Sequence, residues 1–136
     1  EMEFLADAEA IHPAYISRHL FRAEIAHIDK LIDAAYRQKS MAKTVIVKGA
    51  IDHVVQEGKI KFTLSEPDLP ALEAIGGTGD TISGMVGAFI DAGLTPLDAA
   101  VAALKANREA GRYAQATPAT KIREIISAIP QALKHD

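Results

Sequence analysis

Gly76-Gly77-Thr78-Gly79-Asp80 places three glycines in four positions, directly ahead of an apolar, small-residue stretch from Thr81 to Ala92. No other feature constrains the fold so strongly. Glycine adopts backbone angles that side chains forbid and lets the main chain approach a ligand with no Cβ in the way. A helix that opens straight after such a run aims several N–H groups, and the positive end of its dipole, at whatever lies in front. The string is thus a ready anion site at a loop-to-helix junction. Asp80 stands where a carboxylate caps the helix or acts as a base on a hydroxyl or water. A glycine turn with Asp80 as an ordinary N-cap fits the local string equally well. The spacing is neither that of the phosphate loop with a terminal Lys-Ser/Thr nor that of the dinucleotide fingerprint.

The rest of the chain arranges itself around this junction. From Ala14 to about Lys39, Phe21, Ile25, Ile28, Ile32 and Ala35 recur at spacings of 4, 3, 4 and 3, one face of an amphipathic helix. Thr44-Val45-Ile46-Val47 is β-branched with no polar alternation, which predicts a strand buried on both faces, ending at Lys48-Gly49-Ala50. Strands are expected at Asp52–Gln56 and Lys59–Leu64, joined at Glu57-Gly58 as a hairpin. Residues 65–75, with Pro67 and Pro70, read as loop. Gly93 closes the helix after the glycine run. Thr95 as N-cap, Pro96 at the first helical position and Asp98 in the first turn start another helix that runs to about Ala114. Thr117-Pro118 repeats that start signal, and Pro130 ends or kinks the last helix after Ile129. The result is an α/β chain with a small sheet and a β-hairpin flanked by helices, with a buried strand that wants more neighbours than this sequence supplies.

The 136 residues read as one domain, residues 1–136, and at this length a core forms without disulfides or metal. With 25 Ala against seven Phe and Tyr, close helix packing replaces an aromatic core. Fifteen Lys and Arg against 18 Asp and Glu leave a net charge of −3, which argues against nucleic-acid partners and anionic membranes. No apolar run is long enough to span a bilayer, and Glu1-Met2-Glu3-Phe4 has no signal-peptide shape, so a soluble, cytoplasmic protein is expected.

Lys48 is the second candidate ligand. In α/β sheets ligands gather at the carboxyl ends of strands, so Lys48 is placed to meet a phosphate, although a solvated lysine fits as well. The five histidines, 12, 19, 27, 53 and 135, include no pair at short helical spacing, and with no Cys beside them no metal site is expected. Asp52, Glu66, Asp68 and Glu73 receive no role. Asn107, Arg108 and Arg112 could line a pocket, but a solvated helix face is the favoured reading; Met85 and Phe89 read as core contacts. The small residues Gly84, Gly87 and Ala88 suggest that something packs close to their helix.

Three segments together carry a family resemblance: Val45-Ile46-Val47-Lys48-Gly49-Ala50, then Gly76-Gly77-Thr78-Gly79-Asp80-Thr81-Ile82-Ser83-Gly84-Met85, then Gly93-Leu94-Thr95-Pro96-Leu97-Asp98-Ala99-Ala100. With His12-Pro13 at one end and Ala128-Ile129-Pro130-Gln131-Ala132-Leu133 at the other, the chain resembles the C-terminal half of the three-layer ribokinase-like fold. Within that superfamily it is most similar to the ADP/ATP-dependent NAD(P)H-hydrate dehydratases, relatives of hydroxyethylthiazole kinase. The resemblance implies a nucleotide site. The glycine loop and its helix would form an anion hole, with Asp80 facing the reacting group as the catalytic base. Lys48, Gly49, Gly76, Gly77, Thr78 and Gly79 would lie at the nucleotide. ATP or ADP is the implied cofactor, with Mg2+ as its candidate companion, and a small molecule is the substrate. The implied reaction is nucleotide-driven loss of water from a hydrated nicotinamide ring, or phosphoryl transfer to a small alcohol. The alternative is a nucleotide-binding or regulatory half-domain without turnover.

The departures are specific. Ala14-Tyr15 follows His12-Pro13 where the family has Gly-Glu, and Lys105-Ala106-Asn107 occupies a region where members often carry a His. The half that supplies most of the sheet is missing from this chain. A fragment, a natural half-length protein and a degenerate homologue all fit. An unpaired sheet edge invites another chain, so a homo-oligomer, or a partner chain that completes the sheet, is expected.

Overall fold

The structure, a computed structural model, describes residues 28–38 and 42–135. The expectations placed on His12-Pro13, Phe21 and Ile25 lie outside the described residues. The chain separates into two compact units. Among the described residues, one takes in those up to Val45 together with Val55–Ile60; the other takes in Ile46–Val54 and those from Lys61 onward.

In the first unit, helix α1 (Ile28–Gln38) has Asp29 in its first turn and Arg37 in its last, each at the end of the helix dipole that favours its charge. Its periodic face is buried at Ile32 and Ala35, as the spacing predicts. The Tyr36 hydroxyl donates to the Ala42 carbonyl at 2.9 Å. Glu57 and Gly58 have φ of 52° and 80°. Positive φ at both central residues is the signature of the hairpin turn whose twist matches that of its strands, and the Tyr36 ring lies 3.6 Å from where a Cβ on Gly58 would sit.

Strands β1 (Thr44–Val47), β2 (Asp52–Gln56) and β3 (Lys59–Leu64) form one antiparallel sheet in the order β1-β2-β3. This corrects one expectation. β1 is only half-buried along its length, whereas Asp52, His53, Val54 and Val55 of β2 are all buried. Burial follows position in the sheet: β2 has a neighbour on each side and β1, at the edge, has one.

The larger unit packs helices on its share of that sheet. A short helix α2 (Ala71–Ala74) lies in the stretch expected to be loop. Helix α3 (Thr78–Asp91) packs on α4 (Pro96–Tyr113), and α4 packs on α5 (Ile122–Ala132). One core cluster joins Val54 to Ile82, Met85, Ala100, Ala103, Leu104 and Ala106, with Phe62, Leu64 and Phe89 packed against it. A second joins Leu72 and Ile75 to Ala110, Ile125 and Ala132. Met85 and Phe89 are thus the core contacts their spacing predicts. The alanines of α4 let its neighbours close in on several sides, and Gly111 takes this furthest: a Cβ there would stand 2.9 Å from Leu72 Cδ2.

Helix ends follow their chemistry. Gly93, at φ 103°, donates to Ile90 O while Leu94 donates to Phe89 O, the paired bonds of a left-handed glycine C-terminus. Thr95 Oγ1 accepts from Asp98 N at 3.2 Å, as a Thr N-cap should. Thr117-Pro118 does not start α5. Thr117 and Thr120 instead close a turn, Thr117 N donating to Thr120 Oγ1 at 2.9 Å. The helix begins at Ile122, where the Glu124 carboxylate accepts the Lys121 N–H at 2.7 Å. Pro130, exposed, does not stop α5, which continues to Ala132 and a 3-10 turn at Leu133–His135. Gly84, Gly87 and Ala88 are exposed, and no atom comes within 4 Å of a Cβ built on either glycine, so nothing among the described residues packs on that face.

Candidate functional site

The glycine run ends in a helix start that no side chain among the described residues caps. Gly77 is the N-cap of α3, in the left-handed region at φ 94°, and the helix begins at Thr78, three residues before the expected Thr81. Asp80 therefore stands in the first turn and is not the N-cap. Gly77 O accepts from Thr81 N at 3.0 Å and from Thr81 Oγ1 at 2.9 Å. Helix geometry leaves the N–H groups of residues 77–80 without intrahelical acceptors.

The three glycines differ in what holds them as glycine. Gly77 needs its positive φ, and a Cβ there would stand 3.1 Å from Ile122 Cγ1. Gly76 and Gly79 are exposed, lack positive φ, and would place a Cβ with no atom within 4 Å. Thr78 is buried and anchors the turn. The carboxylate of Asp80 is exposed and takes part in no hydrogen bond or ion pair among the described residues.

Lys48 and Gly49 follow β1 and line a separate small cleft with Ala50, Asp52, Glu73 and Arg108. The cleft has about 20 Å³ of room, enough for a water and far short of a nucleoside. Arg108, buried on α4, donates from Nε to Asp52 Oδ2 at 2.9 Å, from Nη1 to Ser65 O and Pro67 O at 3.0 and 3.1 Å, and from Nη2 to Ala50 O at 2.9 Å. Asp52 Oδ1 accepts from Gly49 N at 3.2 Å, with Lys48 Nζ 3.9 Å away. No hydrogen bond or ion pair among the described residues joins this turn to residues 76–80. The chain links them, because Glu73 lies on α2, which leads into the glycine run.

Asp52 and Arg108 thus overturn the sequence reading, which gave Asp52 no role and put Arg108 on a solvated face. Asn107 is buried too, and neither its Oδ1 nor its Nδ2 finds a partner among the described residues. Arg112 is exposed as expected and pairs with Glu109 at 2.7 Å. A signal for the buried pair existed: Ala100, Leu104 and Arg108 follow one another at i+4, so Arg108 sits on the stripe that the apolar residues define. Among the described residues no group of three or more His, Cys, Asp or Glu is placed to hold a metal ion.

A small antiparallel sheet, flanking helices and a glycine-opened helix are those of a carbohydrate-kinase-like α/β protein. The chain belongs to the carbohydrate-kinase family described as NAD(P)H-hydrate dehydratase, which matches residues 18–131. It is 40% identical over 135 residues, 99% of its own length and 58% of the relative's, to an uncharacterized protein of Methanocaldococcus jannaschii. It is 32% identical over 108 residues to a bifunctional NAD(P)H-hydrate repair enzyme of Hyperthermus butylicus, covering 78% of this chain and 20% of that one. It is 35% identical over 79 residues to an ADP-dependent (S)-NAD(P)H-hydrate dehydratase of Nitrosopumilus maritimus, covering 58% and 26%. The chain therefore spans less than two thirds of each of these relatives. No solved structure matches it. Among the described residues, no helix is long and apolar enough to cross a membrane.

Proposed function

We propose that this chain holds the phosphates of ADP or ATP at the start of α3, as the nucleotide-side portion of an enzyme that dehydrates hydrated NAD(P)H. One observation carries the reading: Gly76 and Gly79 are glycines that the fold does not require. Neither has a positive φ or a neighbour that a Cβ would strike, and at Gly79, inside α3, glycine costs about 0.5–1 kcal/mol relative to alanine. Bare backbone there keeps the amides of residues 77–80 reachable by an anion. The relatives' names supply the substrate class, and one is named as ADP-dependent.

In this reading the amides of Gly77, Thr78, Gly79 and Asp80 meet the charge that develops on the transferred phosphoryl group. Asp80 accepts the proton of the substrate hydroxyl as its oxygen attacks the terminal phosphorus and the bond to the departing AMP (from ADP) or ADP (from ATP) breaks. The phosphate so placed on carbon then leaves with the C–O bond electrons while the neighbouring ring carbon gives up a proton, which restores the double bond. Lys48, a third exposed, neutralises a phosphate from the turn after β1. Magnesium fits as an ion carried on the phosphates, which usually supply much of its coordination together with one or two carboxylates. Asp80→Asn is the test: turnover is lost while ATP and ADP still bind. Equal turnover in wild type and variant removes Asp80 from its role. A melting temperature that millimolar ATP and ADP leave unmoved removes the nucleotide, because a ligand at 100 times its Kd adds about 2.7 kcal/mol to the folded state.

A further inference from the structure

We infer that Arg108 is a positioning residue that keeps the charge of Lys48 available to an anion, by holding the Asp52 carboxylate away from it. The inference rests on the proposed role of Lys48 at the nucleotide. Two cations share one carboxylate in the cleft, and the distances say which has it. Arg108 Nε is hydrogen-bonded to Asp52 Oδ2 at 2.9 Å. Lys48 Nζ stands 3.9 Å from Oδ1, a loose ion pair that lies beyond hydrogen-bond range. Oδ1 is occupied by the Gly49 N–H, so both carboxylate oxygens are engaged. The guanidinium cannot drift, because three backbone carbonyls, of Ala50, Ser65 and Pro67, fix its other end.

Arg108, hydrogen-bonded to Asp52, offsets that carboxylate and leaves one positive charge over, on a lysine that is 33% exposed. Asp68 and Glu73 also line the cleft, but both are exposed and neither pairs with Lys48. Without Arg108, Asp52 becomes a buried carboxylate with a single N–H donor. Such a charge is costly unless paired, and Lys48, four residues away, is the cation within reach. Lys48 would then fold onto Asp52, and its charge would be spent inside the protein.

The test uses the full chain, ATP titrations by calorimetry, and circular dichroism to confirm folding. Arg108→Gln is expected to bind ATP about tenfold more weakly than wild type, and Arg108→Gln with Asp52→Asn to return to within about threefold. A scaffold role alone predicts no such recovery, so a double variant as weak as Arg108→Gln overturns the inference. In a crystal structure of ligand-free Arg108→Gln, Lys48 Nζ should close on Asp52 to about 2.8 Å, and a lysine that stays apart overturns it whatever ATP does. Should Arg108→Gln not fold, Asp52→Asn decides: ATP binding at least as tight as wild type is expected, and weaker binding refutes the idea. A wild-type chain that ignores ATP while Lys48 closes in the variant would remove the nucleotide reading and leave the charge device standing.

Discussion

Gly79→Ala should raise the stability of this chain and lower its affinity for nucleotide. Gly79 is the second residue of α3, exposed, with no positive φ and no atom within 4 Å of a built Cβ. Alanine there introduces no clash and restricts the unfolded chain, a gain of about 0.5–1 kcal/mol. For a protein of this size that raises Tm by roughly 2–5 °C. The same methyl stands among the amides proposed to grip a phosphate. Losing one charge-assisted hydrogen bond costs about 1.5–3 kcal/mol, roughly a 10- to 100-fold weaker Kd. Thermal unfolding with and without ATP reads both effects. At an ATP concentration of 100 times the wild-type Kd, a tenfold loss cuts ligand stabilisation from about 2.7 to about 1.4 kcal/mol. The free variant should therefore melt higher, with an ATP-induced shift about half as large. A variant that melts lower without ligand, or that keeps the full ATP shift, refutes the argument that glycine stands here for a ligand.

Gly77→Ala should behave oppositely, losing about 1–2 kcal/mol to left-handed strain, with further crowding against Ile122; a urea midpoint equal to wild type would contradict the φ of 94°. Gly111→Ala drives a methyl to 2.9 Å from Leu72 Cδ2, and such overpacking costs about 1–3 kcal/mol, again read by urea unfolding; an unchanged midpoint would mean that α2 shifts freely away from α4. Sedimentation at high micromolar concentration should show a dimer or larger assembly, because β1 presents a half-buried edge with one strand neighbour; a clean monomer would refute it.

Local chemistry was legible wherever a residue answers to its immediate neighbours. The 57–58 hairpin, the Thr95-Pro96 helix start, the Gly93 terminus and the buried face of Ile32 and Ala35 all follow from period, φ and capping, which a few residues define. Thr117-Pro118 misled because Thr120 offered its hydroxyl to the Thr117 N–H, a local bond that competes with helix initiation. Of the two outcomes expected of Pro130, ending the helix does not occur, because an exposed proline near a helix end is tolerated once the surrounding turns are packed, as Ile125 and Ala132 are.

What the sequence by itself determined is the glycine-opened helix, its bare amides and the order of the elements other than α2, since each depends on contacts within a few residues along the chain. What only the tertiary structure decided is burial and charge pairing. It made β2 the central strand, and it joined Arg108 to Asp52 across 56 residues of sequence. A guanidinium reads as solvated until the fold shows which carboxylate and which carbonyls replace the water around it.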